Sequence, residues 1–80
     1  MARPTTFGTL LRKARWQRDL TQAALAQLAG ISRNYLSQLE TDQKRPSLRT
    51  LQALARVLTP TPRMLRRWVQ LASAPPSESS

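Results

Sequence analysis

The sequence predicts an all-α fold of five helices, and three observations carry that prediction. Apolar side chains recur at the i, i+3, i+4, i+7 spacing of a single helix face in one segment after another. Thr21, Ser32, Ser47 and the Thr61-Pro62 pair stand where such segments begin, in the roles that cap or open helices. Apolar and polar residues nowhere alternate with period two over more than a few positions, so no strand is predicted.

The first helix is predicted over Thr6 to Arg18, with Phe7, Leu11 and Ala14 on one face and an end near Asp19. Thr21 caps the second, QAALAQLA, and Gly30 stops it because glycine enters the left-handed region without a Cβ penalty. Ser32 caps the third, RNYLSQLE, which gives way to the polar segment TDQK. Pro46 and Ser47 open the fourth, whose Leu48, Leu51, Leu54, Ala55 and Leu58 hold the helical period. Thr61 and Pro62 open the fifth, RMLRRWVQLA, in which Leu65, Trp68 and Ala72 share a face expected to close the core. A domain over residues 6–72 is therefore expected, between a flexible N-terminal arm of residues 1–5 and a disordered Pro/Ser tail of residues 73–80.

Composition narrows the function. A chain of 80 residues builds one small core. It has no cysteine and no histidine, hence no thiolate or imidazole for a metal and no usual general base. The only carboxylates are Asp19, Glu40, Asp42 and Glu78, so an enzyme is not expected, nor is a cofactor. Thirteen Lys and Arg give a formal charge of +9, which calls for a polyanionic partner, nucleic acid or an anionic surface. No apolar run approaches the ~18 residues of a spanning helix, and the N-terminus lacks a signal-peptide pattern. A cytoplasmic chain, associated with the nucleoid through DNA, is the expectation.

The break at Gly30 has a geometric meaning. Two helices joined by a few residues around a glycine turn at roughly 90 to 120°, the helix-turn-helix. Ala26 allows the close crossing, and Leu25, Ala29, Ile31, Leu36 and Leu39 supply the apolar seam. At about 100° per residue, Arg33, Ser37, Asn34 and Gln38 fall on one side of the third helix and Tyr35, Leu36 and Leu39 on the other. Arg can bond bidentately to guanine, and Asn and Gln to adenine. No acidic residue lies on that polar side to repel phosphates. The bland alternative is a solvated amphipathic helix. Lys44 and Arg45 precede the opening of the fourth helix, whose free backbone N–H groups favour an anion, so the three together form a phosphate clamp.

From about Phe7 to Leu65 the chain resembles the Cro/C1-type helix-turn-helix family, the lambda-repressor-like domains. FGTLLRKAR, LTQAALAQLAGIS, NYLSQLE and RPSLRTLQALARVL carry the resemblance, which spans a whole domain. It implies base reading by Arg33, Asn34 and Gln38, with Ser37 a weaker candidate, and phosphate contacts by Gln22, Ser32, Tyr35, Lys44 and Arg45. It further implies that Gln22 braces the recognition helix and that Arg15 pairs with Glu40 as a structural ion pair. Asp19, Asp42 and Thr59 depart from the family, which commonly has glycine there.

The resemblance also implies dimerisation through the C-terminal helix. Met64, Trp68, Val69 and Leu71 are the candidate interface, and Trp16 is ambiguous between core edge, dimer surface and solvent. Arg63, Arg66 and Arg67 cluster on the fifth helix, beside a dimer contact or widening the DNA footprint. The expected function is a bacterial or phage transcriptional regulator, a repressor that binds double-stranded DNA as a homodimer on a pseudo-palindromic operator. The alternatives are an antitoxin or other interaction module whose main partner is a toxin or RNA polymerase, and a restriction-modification controller or activator. A lipid binder is disfavoured, since membrane-surface helices want a continuous apolar face and the Gly30 turn interrupts it.

Overall fold

The computed structural model describes residues 5–73. They form five helices in succession: α1 (Phe7–Gln17), α2 (Gln22–Ala29), α3 (Arg33–Glu40), α4 (Leu48–Leu58) and α5 (Pro62–Ser73). No strand occurs among the described residues. Thr6, Thr21, Ser32 and Ser47 are N-caps whose hydroxyls each accept a hydrogen bond from the backbone N–H three residues on. Thr61 does the same for Met64 at the start of α5. Each cap satisfies a donor that the first helical turn leaves without an internal partner.

The first four helices end in left-handed turns. Gly30 has φ 74°, and three residues with side chains share the region: Asp19 at 54°, Asp42 at 62° and Thr59 at 44°. Aspartate tolerates this conformation better than most residues, whereas β-branched Thr59 is strained in it. The Arg18 guanidinium donates to the Thr59 hydroxyl and closes that corner against the end of α1.

All five helices contribute to one core, which includes Phe7, Leu11, Leu25, Leu36, Leu39, Leu54 and Trp68. Trp68 is fully buried, and Phe7 meets it edge-on with centroids 5.7 Å apart and planes at 89°. This T-shaped geometry puts the positive edge of one ring against the negative face of the other. Its indole N–H finds no hydrogen-bond acceptor among the described residues. Two expected core leucines lie outside. Leu48, on the first turn of α4, overhangs the core and is 68% exposed, and Leu65, early in α5, is 36% exposed. Burial along α5 deepens toward its C-terminal half, where Leu71 and Ala72 pack on the core.

The backbone at the start of α1 comes close to the end of α3. A Cβ on Gly8 would lie 2.6 Å from the carbonyl oxygens of both Leu39 and Glu40. Gly8 N–H donates to Asp42 Oδ1 at 3.0 Å and the Thr6 hydroxyl donates to Asp42 Oδ2 at 2.7 Å. The Asp42 carboxylate thus sits at the positive end of α1, where the helix dipole favours it. The expected arm and tail fall outside the described residues apart from Thr5 and Ser73, and Ser73 is the last residue of α5.

Candidate nucleic-acid interface

Three residues, Gly30 to Ser32, separate α2 from α3. Gly30 N–H donates to Gln27 O and Ile31 N–H to Ala26 O, so the turn satisfies carbonyls at the end of α2. Nothing lies within 4 Å of where a Cβ on Gly30 would stand, so glycine serves the left-handed φ rather than a tight contact.

On α3, Leu36 and Leu39 are completely buried and Tyr35 packs half-buried against the core. Arg33 and Asn34 are exposed, while Ser37 and Gln38 are half-buried. The structure gathers Gln22, Arg33, Asn34 and Ser37 around one shallow depression; Gln38 is not on its wall. The side chains of Arg33, Asn34, Ser37 and Gln38 make no hydrogen bond among the described residues. Four polar side chains are therefore displayed with their donors and acceptors unspent.

Behind this face lies a buried polar network. Arg15 Nε donates to Glu40 Oε2 at 2.6 Å and Nη2 to Oε1 at 3.0 Å, a bidentate ion pair. Arg15 Nη1 reaches Leu20 O at 2.9 Å, and Arg12 Nη2 reaches Glu40 O at 3.2 Å. Gln22 Nε2 donates to Glu40 Oε1 at 3.1 Å. The Glu40 side chain is only 2% exposed, and a carboxylate that deeply buried is tolerable because charged and neutral donors saturate it. The pair joins the last turn of α1 to the end of α3, and Gln22 attaches the start of α2 to the same point. Spacing alone foretold nothing of the Gln22 bond, since it spans residues that no helical period relates.

Other candidate phosphate ligands are distributed around α3. Ser32 is exposed, with its hydroxyl accepting from Tyr35 N–H as the cap of α3. Lys44 and Arg45 are exposed in the segment between α3 and α4. Arg45 Nη1 also extends to Ser73 O at 3.5 Å, which links that segment to the end of α5. The link escaped sequence reasoning because the two residues lie far apart in the chain.

On α5, Val69 is 44% exposed and Met64 36%, which leaves an apolar strip with Leu65. A place for Trp68 in a dimer interface is contradicted, because its side chain is spent on the monomer's own core. Leu71 likewise packs on that core and is only half-exposed. Trp16 is 57% exposed, with the Arg12 guanidinium 5.8 Å from its ring centroid in a cation–π arrangement. No helix among the described residues is long and apolar enough to cross a membrane.

Comparison with known proteins agrees with this geometry. A helix-turn-helix family model matches residues 11–64. The immunity repressor protein of Bacillus phage phi105 is 45% identical over 53 residues, which cover 66% of this chain and 37% of that relative. The chain thus spans little more than a third of that relative's length. The restriction-modification controller protein C.AhdI from Aeromonas hydrophila superposes with a TM-score of 0.69 at 39% identity, covering 74% of this chain and 89% of that one. The P22 c2 repressor in complex with a synthetic operator does so with a TM-score of 0.71 at 31% identity, covering 78% of this chain and 94% of that one. The solution structure of the P22 c2 repressor DNA-binding domain gives a TM-score of 0.73 at 27% identity, covering 94% and 97% respectively. Five helices, a glycine-stopped α2, a polar-faced α3 and these matches place the chain in the Cro/C1-type helix-turn-helix family.

Proposed function

We propose that the protein is a sequence-specific, double-stranded DNA-binding transcriptional regulator, a repressor acting as a homodimer on a pseudo-palindromic operator. The observation that carries this reading is α3 itself: a helix rigidly backed by Leu36, Leu39 and the Arg15–Glu40 pair, with Arg33, Asn34, Ser37 and Gln38 free to bond to base edges. Arg33 suits guanine O6 and N7, while Asn34 and Gln38 suit adenine N6 and N7. Gln22, Ser32, Tyr35, Lys44 and Arg45 are the candidate phosphate ligands, and contacts from them supply the salt-dependent share of affinity. The charge of +9 draws the protein to DNA before any sequence is read. The similarity to the phage phi105 immunity repressor favours repression.

A single module buries too little DNA for strong discrimination, so a two-fold dimer that spaces its α3 helices about 34 Å apart answers an energetic need. Met64, Leu65 and Val69 offer the apolar surface for it. The similarity to C.AhdI favours, as a second reading, a controller of a restriction-modification system with the same DNA chemistry. Selection from random duplex DNA at roughly 150 mM salt tests the proposal. A two-fold symmetric enriched motif is expected; failure to enrich any sequence overturns DNA reading, and an asymmetric motif overturns the dimer.

A further inference from the structure

A cleft of about 410 Å³ opens between α1, from Leu10 onward, and the corner that joins α4 to α5. Leu10, Ala14, Leu58, Pro60 and Met64 give it an apolar lining. Lys13 and Arg18 stand on its wall, and no carboxylate does. It shares no residue with the depression beside α3, so the DNA-binding reading makes no use of it. A mostly apolar recess of roughly 300–1,000 Å³ with a few placed polar groups is the usual form of a small-molecule site.

The wall specifies the charge of the occupant. The ends of α1 and α4 each bring about half a unit of negative charge to this corner, and the start of α5 brings about half a unit of positive charge. Lys13 and Arg18 add two full positive charges, so the cleft is cationic on balance. Lys13 has no hydrogen bond or ion pair among the described residues. Arg18 is pinned in place: its Nη2 donates to the Thr59 hydroxyl at 2.5 Å and to Thr59 O at 3.5 Å, which leaves Nε and Nη1 unspent. Thr59 holds it from a left-handed φ of 44°, where a β-branched residue is strained. Strain of this kind is characteristic of ligand clamps.

We propose that this cleft binds a small amphiphilic anion, a carboxylate with an acyl chain of medium length. Arg18 and Lys13 take the carboxylate, and the chain lies along the apolar lining. The planar fork of Arg18 matches the two carboxylate oxygens, and Thr59 positions it beforehand. Each methylene buried against the lining strengthens binding by up to about fourfold.

Titrations of the full chain with octanoate, followed by 15N NMR, test the proposal. Acetate carries the charge without the chain, and octanol the chain without the charge. Octanoate is expected to shift the amide signals of Ala14, Arg18 and Thr59 and to bind at least about tenfold more tightly than either control. Arg18→Gln, at an exposed position, is expected to weaken octanoate about tenfold. Thr59→Gly is expected to weaken it about fivefold while raising the melting temperature. A more stable protein with a poorer site is what a purely structural Thr59 would not give. No binding of octanoate, equal binding of acetate or octanol, or shifts centred on Arg63, Arg66 and Arg67 overturns the inference. Unchanged affinity in Arg18→Gln does the same. No readout involves DNA, so the result stands apart from the outcome of DNA selection.

Discussion

Gly8→Ala sets two effects of opposite sign against each other. Replacing a helical glycine by alanine favours the helix by up to about 1 kcal/mol. The new Cβ, however, would stand 2.6 Å from two backbone carbonyl oxygens and 2.8 Å from Asp42 Oδ1. The two carbonyl oxygens are backbone atoms of α3 that no side-chain movement relieves, and the Asp42 carboxylate can turn aside only by giving up its bond to Gly8 N–H. Relief requires the start of α1 to move away from α3 by the better part of an ångström, which stretches the 3.0 Å bond from Gly8 N–H to Asp42. Overpacking costs about 1–3 kcal/mol and a weakened hydrogen bond to a charged group up to about 1.5–3 kcal/mol. The steric and polar losses outweigh the helical gain, and a net destabilisation of about 2–4 kcal/mol is expected. At roughly 4–8 °C per kcal/mol for a domain of this size, the melting temperature followed by far-UV circular dichroism should fall by at least about 8 °C. Gly30→Ala is the control, since only its left-handed φ opposes a side chain, at about 1–2 kcal/mol. A Gly8→Ala protein as stable as the wild type, or more stable than Gly30→Ala, would refute the close-approach reasoning.

Glu40→Ala strands the Arg15 guanidinium in a buried site and should cost about 3–5 kcal/mol in urea denaturation. Thr59→Gly removes left-handed strain at the loss of an exposed hydrogen bond to Arg18, and a gain of about 0.5–1 kcal/mol is expected in the same assay. On a selected DNA site, Arg33→Ala should relax preference at one base pair by about 1–3 kcal/mol, whereas Lys44→Ala should weaken all sequences alike and lower the salt slope by about 1. Val69→Glu places a charge in the exposed strip of α5; sedimentation should show a monomer while the melt stays within about 0.5 kcal/mol of wild type.

Local chemistry made the helices legible. Thr21, Ser32, Ser47 and Thr61 cap as their side chains require, and Gly30 takes the left-handed turn that its missing Cβ permits. The polar and buried sides of α3 follow from a single period. What periodicity does not encode is which neighbour covers each face. Leu48 obeys the apolar period of α4 yet stands 68% exposed. Trp68 could have served a partner or the core, and only the approach of Phe7 decides for the core. The Asp42 cap on α1 and the Gln22–Glu40 bond join residues remote in sequence, so composition and spacing carried no trace of them.

The side chains of α3 divide their labour with little overlap: Leu36, Leu39 and Glu40 sustain the fold, while Arg33, Asn34, Ser37 and Gln38 form no hydrogen bond among the described residues. Surface substitutions away from packing and polar networks typically change stability by less than about 0.5 kcal/mol. The exposed Arg33 and Asn34 can therefore be randomised together in a library whose members nearly all still fold, with half-buried Ser37 and Gln38 exchanged for residues of similar size. Mutational drift meets the same freedom. Under the proposed reading, a lineage carrying this scaffold can exchange one operator for another by changing a few residues of that face, without first surrendering the stability that keeps the helix in place.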